Sequence, residues 1–276
     1  MSPASTADLR RAFAQKIVAQ AGVRDPRIED AFAETAREQF AGPPPWFVAR
    51  LDGYVETSDF ADLYEDCLVA IDAARGINIG EPALHARCMA ELDLKDGETV
   101  LHVGAGVGYY TAMLARLVGE TGHVFGYEID AGIAARAQDN LRDQRNVTIA
   151  ARSGIAPGLP QADAIYVNAG AIEPYACWRE ALKPGGRLLF PLEAPHALGA
   201  MLLVQRDAND LRWPARFLFP VAFIACETER DRAAERNLAE RFRDESWRRV
   251  HSLRFDAPDE TCWLAGADWW LSTAAP

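Results

Sequence analysis

Apolar and polar positions repeat along this chain with two periods, and the places where the period changes mark its elements. Leu9, Phe13 and Ile17 recur at i, i+4 and i+8 within residues 6–21, which predicts an amphipathic helix with Thr6 as its N-cap. Asp25 and Pro26 open a second helix, the acid capping and the proline at the first helical position, with Ile28 and Phe32 on one face. It stops before AGPPPW at 41–46, whose prolines cannot continue a helix. Residues 46–75 fit either helix or partly extended chain. From Glu81 the pattern sharpens. Pro82 starts a helix that turns Leu84, Cys88 and Met89 towards a core. Strand-like runs within 95–105, 123–130, 146–151, 162–170 and 183–192 then alternate with helices within 109–119, 131–144 and 174–182. That alternation predicts an α/β fold with a parallel, doubly wound sheet. Two further strands, 199–207 and 215–226, have no long helix between them and are expected to pair antiparallel at the sheet edge. A charged helix at about 229–245 and a tryptophan-rich end, CWLAGADWWLS, close the chain.

Composition narrows the function classes. With 49% hydrophobic and 25% charged residues, the 276-residue chain has an ordinary globular make-up and enough length for a substantial core. A formal charge of −11 argues against non-specific nucleic-acid binding. No apolar run reaches the ~18 residues of a membrane span, and the charged first thirty residues do not read as a signal peptide. Five scattered cysteines without a CxxC pair point to reduced thiols and a cytoplasmic setting. The histidines form no ligand spacing with them, so no metal site is expected.

The chemistry gathers at TVLHVGAGVGYYTAMLARLVGETGHVFGYEID, residues 99–130. Gly104, Ala105, Gly106, Val107 and Gly108 lie between a strand and its helix, where a doubly wound sheet takes its ligands. Glycines allow close approach of the backbone, and the helix N-terminus favours an anionic group. The spacing is G-x-G-x-G, not the G-x-G-x-x-G of dinucleotide binding, which favours S-adenosylmethionine over NAD. Glu128, ending the next strand, is placed to accept both ribose hydroxyls. Each such bond to a charged acceptor is worth roughly 1.5–3 kcal/mol.

These residues resemble the protein-L-isoaspartate O-methyltransferase family from about Val23 to Cys226. VRDPRIEDAFAETAREQFAGP resembles its N-terminal helix pair, the glycine loop with Tyr109 its cofactor loop, and ALKPGGRLLFPL and RFLFPVAF its late strands. The resemblance implies a seven-stranded, Rossmann-like methyltransferase sheet with S-adenosylmethionine as methyl donor. The chain then divides into an N-terminal helical segment with a substrate loop (1–92), a cofactor-binding core (93–226) and a C-terminal extension (227–276). The candidate cofactor set is Ile79, Gly80, His102, Gly104, Ala105, Gly106, Gly108, Tyr109, Glu128, Ile129, Ser153, Gly154 and Asn168. Asn78 and Glu81 are the candidate catalytic pair.

Three positions depart from the family. Its Thr-Ile-Ser-Gln-Pro-like loop, whose hydroxyl helps to position the isoaspartyl carboxylate, is Asn78-Ile79-Gly80-Glu81-Pro82 here. Glu81 adds a negative charge where a carboxylate would bind; like charges at ~4 Å and an effective dielectric near 20 cost about 4 kcal/mol. Glu81 fits a base for an amine or hydroxyl acceptor, or a favourable charge at the next helix start. His102 replaces the usual acid and is expected to make cofactor binding vary with pH if it faces the site. Ser153 replaces an adenine-contacting aspartate. Gly80→Ser is expected to raise any isoaspartyl activity.

The leading reading is therefore an S-adenosylmethionine-dependent methyltransferase of this lineage, with a small-molecule or peptide/protein acceptor that has diverged. The alternative is a catalytically silent protein that binds the cofactor or a partner. NAD-dependent oxidoreduction is disfavoured by the glycine spacing. No nucleic-acid or membrane partner is expected, and the charge-rich stretch near 229–249 is a candidate homodimer or partner surface as well as a solvated face. His85 reads first as a packing residue. Asn168 either contacts substrate or caps a turn, and Trp263, Trp269 and Trp270 either wall a substrate or pack the extension.

Overall fold

A computed structural model of the chain describes residues 5–208, 211–227 and 231–276. Helices α1 (Thr6–Ala21), α2 (Pro26–Glu34) and α3 (Arg37–Ala41) precede strands β1 (Trp46–Arg50) and β2 (Gly53–Thr57). A short helix α4 (Phe60–Leu63), strands β3 (Ala70–Asp72) and β4 (Ile77–Asn78), and helix α5 (Pro82–Leu92) follow. The alternating core runs β5 (Thr99–Val103), α6 (Tyr109–Leu117), β6 (His123–Glu128), α7 (Ala131–Asn140), β7 (Val147–Ala151), β8 (Ala162–Val167), α8 (Ala176–Ala181) and β9 (Leu182–Leu192). Then come β10 (Gly199–Gln205), β11 (Arg212–Val221), α9 (Arg232–Arg241), β12 (Ser252–Arg254), β13 (Cys262–Ala265) and β14 (Trp270–Ser272). The expectation of an α/β fold holds, with a mixed central sheet, N-terminal helices and C-terminal strands. Residues 229 and 230 of the expected charged helix lie outside the described residues.

The chain forms two compact units, Met1–Glu98 with Ala105–Ser153, and Thr99–Gly104 with Gly154–Pro276. In the first, α1 is capped by Ser5 and not by Thr6. The Ser5 hydroxyl accepts the Asp8 N–H while the Asp8 carboxylate accepts the Ser5 N–H, a capping box that satisfies two amides at once. Phe13 and Ile17 are buried as the periodicity requires, and Phe13 meets Phe32 of α2 edge-on at 6.0 Å. Asp25 caps α2 through the Arg27 N–H, with Pro26 at the first position.

The ambiguous stretch 46–75 resolves into a β1–β2 hairpin, α4 and the start of a β3–β4 pair. What holds it is Arg37, fully buried, which donates to the carbonyls of Leu63 (2.8 Å), Glu65 (2.8 Å) and Cys67 (2.6 Å). One guanidinium thus satisfies three carbonyls that a loop would otherwise leave unpaired. Strands β6 and β7 pair in parallel in this unit.

The second unit carries eight strands in the order β13-β14-β12-β11-β10-β9-β8-β5. Strands β5, β8 and β9 are parallel and every later pairing is antiparallel. The antiparallel pair β10–β11 is therefore not at the sheet edge. Residues 252–272 add three strands beyond it because Trp213 on β11 pairs with Leu253 and Leu253 with Leu271. Trp263, Trp269 and Trp270 are all buried, which makes them packing residues of this addition. Phe217 of β11 meets Trp247 at 5.6 Å and Trp263 at 5.4 Å, both edge-on. Each such pair is worth about 0.5–1.5 kcal/mol beyond its buried area.

Candidate active site

The candidate residues divide between the two units. In the first, the glycine loop is held by the acid that follows it in sequence. Glu128 Oε2 accepts the Gly106 N–H at 2.8 Å and Oε1 accepts the Asp130 N–H at 3.0 Å. A carboxylate offers about four lone-pair sites, so two remain for ligand hydroxyls. Helix α6 (Tyr109–Leu117) follows Gly108, which has no side chain to cap it, and a helix start of this kind favours an anionic group. Gly108 itself has a packing role: a Cβ there would lie 2.6 Å from Leu141 Cδ1. Beside Gly106 the nearest atom to such a Cβ is Ile71 Cδ1 at 3.9 Å, an ordinary contact, so that glycine is not hemmed in as Gly108 is. Ile129 is 45% exposed, an apolar face beside Glu128. Arg75 bridges Asp72 and Asp130, both at 2.7 Å, tying the β3–β4 segment to the turn after β6. Ser153 ends the unit and is half-buried.

The acceptor loop 78–82 is also in the first unit. Asn78 spends its side chain on the loop itself: Oδ1 accepts the Gly80 N–H at 2.8 Å and Nδ2 donates to the Gly76 carbonyl at 3.0 Å. Gly80 has φ +83°, a left-handed conformation that side chains rarely adopt. Tyr110 donates its hydroxyl to the Gly80 carbonyl at 3.2 Å. Its ring stacks on the buried His85, centroids 3.6 Å apart, and His85 Nε2 fills the space that a Cβ on residue 80 would enter. Glu81 occupies the N-cap position of α5 but makes no capping bond. That service comes from Asp66, whose Oδ1 accepts the Ala83 N–H at 2.9 Å. Glu81 is left exposed at the loop, its carboxyl raised above the usual range by partial desolvation and then by the Asp66 charge. Ile79 is buried, and Tyr109 is buried with its ring against Phe40 at 5.5 Å. Tyr109 is thus a core residue of this unit.

In the second unit, His102 and Gly104 stand at the end of β5, Asn168 follows β8 and Gly154 begins the stretch after β7. His102 is fully buried and stacks on Tyr166 at 5.6 Å. Burial pushes its pKa down to about 3, so the ring is neutral at physiological pH. A neutral ring nitrogen accepts, and Asn168 Nδ2 lies 2.6 Å from His102 Nε2. The histidine therefore orients Asn168 and carries no charge for a ligand. Asn168 Oδ1 remains buried without a hydrogen-bond partner. The Gly154 carbonyl accepts from the buried Trp178 indole at 2.9 Å. Two residues that sequence reasoning passed over are Asp66, a distant cap no local motif announces, and Glu193, a buried acid directly after the apolar end of β9.

S-adenosylmethionine fits these residues: a carboxylate with spare acceptor sites, an uncapped helix start, a glycine that is not hemmed in and an exposed apolar side chain match its ribose, carboxylate and adenine. The family model described as Protein-L-isoaspartate(D-aspartate) O-methyltransferase matches residues 10–230. The Protein-L-isoaspartate O-methyltransferase of Anaeromyxobacter dehalogenans is 35% identical over 209 residues, 74% of this chain and 90% of the relative. That of Brucella anthropi is 32% identical over 193 residues, 68% of this chain and 80% of the relative. A solved protein-L-isoaspartate O-methyltransferase is similar at TM-score 0.66 and 26% identity, over 85% of this chain and 71% of that one. A Plasmodium falciparum candidate of the same kind, solved with S-adenosyl-L-homocysteine, shares the fold at TM-score 0.64 and 19% identity, over 79% of this chain and 98% of that one.

Proposed function

Since the chain belongs to the protein-L-isoaspartate O-methyltransferase family, S-adenosylmethionine-dependent enzymes with protein or peptide acceptors, we propose that its acceptor has diverged from the isoaspartyl carboxylate. One observation carries this reading: a Cβ on residue 80 would collide with His85 Nε2, so a hydroxyl-bearing side chain there must displace the imidazole. When bound, S-adenosylmethionine supplies an electrophilic methyl group. On this reading Gly106, Glu128, Ile129 and Ser153 of the first unit hold the cofactor. Asn78 positions the acceptor loop, and Glu81 with Asp66 sets its charge. Two acids beside the loop disfavour a carboxylate acceptor and favour one that is neutral or cationic. Residues 1–92 then supply acceptor selection, 93–226 cofactor binding, and 227–276 an extension.

The test pairs calorimetry with turnover. Titration with S-adenosylmethionine and S-adenosylhomocysteine should give micromolar binding, and isoaspartyl peptides should be esterified poorly against a family control. Efficient esterification would return the chain to the ordinary family activity. Absence of cofactor binding by folded protein would remove the methyltransferase reading.

A further inference from the structure

The apolar side chains that this chain leaves in the open gather at one hairpin and the short helix after it. Half of the large apolar residues exposed among the described residues, Phe47, Leu51, Val55 and Phe60, fall within 47–60, and Leu51 at the hairpin tip is fully exposed. Scattered singly such residues need no explanation, but a cluster of them marks an interaction surface. Strands β1 and β2 form the hairpin, with Val48 opposite Val55 and Phe47 opposite Glu56. Among the described residues β2 pairs with β1 alone, so its far edge is bare.

The backbone ladder shows what that edge offers. On its other side β1 meets the chain at Val69, where the Ala49 N–H donates to the Leu68 carbonyl at 2.9 Å. Peptide groups point to alternate sides along a strand. Ala49 therefore faces Leu68, Val48 and Arg50 face β2, and their partners Val55 and Gly53 face back. Tyr54 and Glu56 are left with N–H and C=O groups turned outward. The two faces beside this edge differ. Val55, 51% exposed, lies on the face of the buried Val48, while the exposed Glu56 lies with Tyr54 on the opposite face.

The same ladder runs on to the acceptor loop. The Val69 carbonyl accepts the Ile79 N–H at 2.9 Å, so β2, β1, residues 68–69 and the loop follow in one row, all within the first unit. Burial raises the Tyr54 hydroxyl above its usual range, and a hydrogen bond with the Asn78 side chain lowers it. Tyr54 thus spans from the bare edge to Asn78, and a chain lying on that edge has the loop within a side chain's reach. The hairpin's exposed acids are Asp52 and Glu56, and its one cation, Arg50, is paired with Asp62 at 2.7 Å. Such a surface attracts a basic segment and repels a second copy of itself.

We propose that the outer edge of β2 takes an extended segment of the protein or peptide acceptor as an added strand, with apolar side chains against Val55 and basic ones beside Glu56. The proposal rests on the methyltransferase reading, keeps the polymeric acceptor of the family, and states how residues 1–92 select it. Main-chain bonds to Tyr54 and Glu56 supply affinity for any extended chain, and the alternating side chains supply the preference.

The experiment uses the full chain, methyl-labelled S-adenosylmethionine and short peptides of alternating valine and arginine, each with one isoaspartyl, lysine, serine or glutamine residue at its centre. Control peptides carry glutamate in place of arginine, or N-methyl groups along the backbone. Label should reach the valine–arginine peptides with a KM about tenfold below that of either control, the worth of one or two hydrogen bonds. Glu56→Pro removes an outward N–H and no bond to β1, so it should raise that KM about tenfold while kcat and S-adenosylhomocysteine affinity hold. Glu56→Lys alters only an exposed side chain and should reverse the preference between arginine and glutamate. Equal KM values for all the peptides, or a preference that Glu56→Lys leaves in place, overturn the proposal and leave the methyltransferase reading standing. A wild-type dimer that Glu56→Pro dissolves in sedimentation also overturns it, giving the edge to a second copy. Label on no peptide despite cofactor binding overturns it too. No cofactor binding by the folded wild type removes the underlying reading itself.

Discussion

His85 and Gly80 are complementary: the imidazole fills the space that a side chain on residue 80 would need, and Tyr110 both stacks on that ring and holds the Gly80 carbonyl. Gly80→Ser, which family likeness suggests would raise isoaspartyl activity, should instead be damaging. It adds a β-carbon at φ +83° and forces the ring aside, together costing roughly 2–4 kcal/mol. Urea unfolding of Gly80→Ser, His85→Ala and the double variant checks this. The double variant should be more stable than the sum of the singles by at least about 1 kcal/mol, and simple additivity would refute the coupling.

Glu193 makes stability depend on pH in a window of its own. Its folded pKa of about 7 lies above the ordinary 4.5, so between those values the folded state holds a proton that the unfolded chain has lost. Stability contributed by the neutral acid is complete below pH 4.5 and is lost as pH rises through 7, by up to about 3 kcal/mol. The acids held low by hydrogen bonds, such as Asp25 and Asp62, titrate below this window. Denaturant midpoints of wild type and Glu193→Gln at pH 5 and pH 8 should converge at the lower pH and separate at the higher, with the variant more stable there. Parallel profiles would contradict the assignment.

For His102 the expectation reverses. A strand-end histidine suggested cofactor binding that varies with pH, but the ring is wholly buried and neutral down to about pH 3. The affinity for S-adenosylhomocysteine at pH 6 and pH 8 should therefore agree within about twofold. A tenfold change would mean that the imidazole titrates after all.

The α/β alternation and the glycine loop were legible because each rests on local pattern: β-branched runs, a G-x-G-x-G turn, an acid at the next strand end. Gly80 was legible as a departure, but its reason was not, since His85 returns to it from the next helix. Asp66 capping α5 and Arg37 gathering three carbonyls are contacts between distant segments, which no period or spacing records. Glu193 follows directly on the strand-like run 183–192, and only the fold shows that it is buried.

Arg37 should prove the least replaceable charge in the first unit. Arg37→Met keeps much of the volume but strands the carbonyls of Leu63, Glu65 and Cys67, for an expected loss of about 3 kcal/mol. Because Asp66 lies within the segment so held, α5 should lose protection at its first turn. Hydrogen exchange at Ala83 is the reporter, and unchanged protection would detach the cap from the arginine.

The family likeness stops at residue 230, whereas the hydrogen-bond ladder does not: Arg212–Pro214 of β11 pair with β12, and the Ala215 N–H reaches the His251 carbonyl at 3.0 Å. A protein trimmed to the length of its relatives would bare the Arg212–Ala215 end of β11, an open template for another copy. With the tail in place the outermost strand has four residues. In place, residues 252–254 occupy that end of β11 and leave its ladder there no room for another strand.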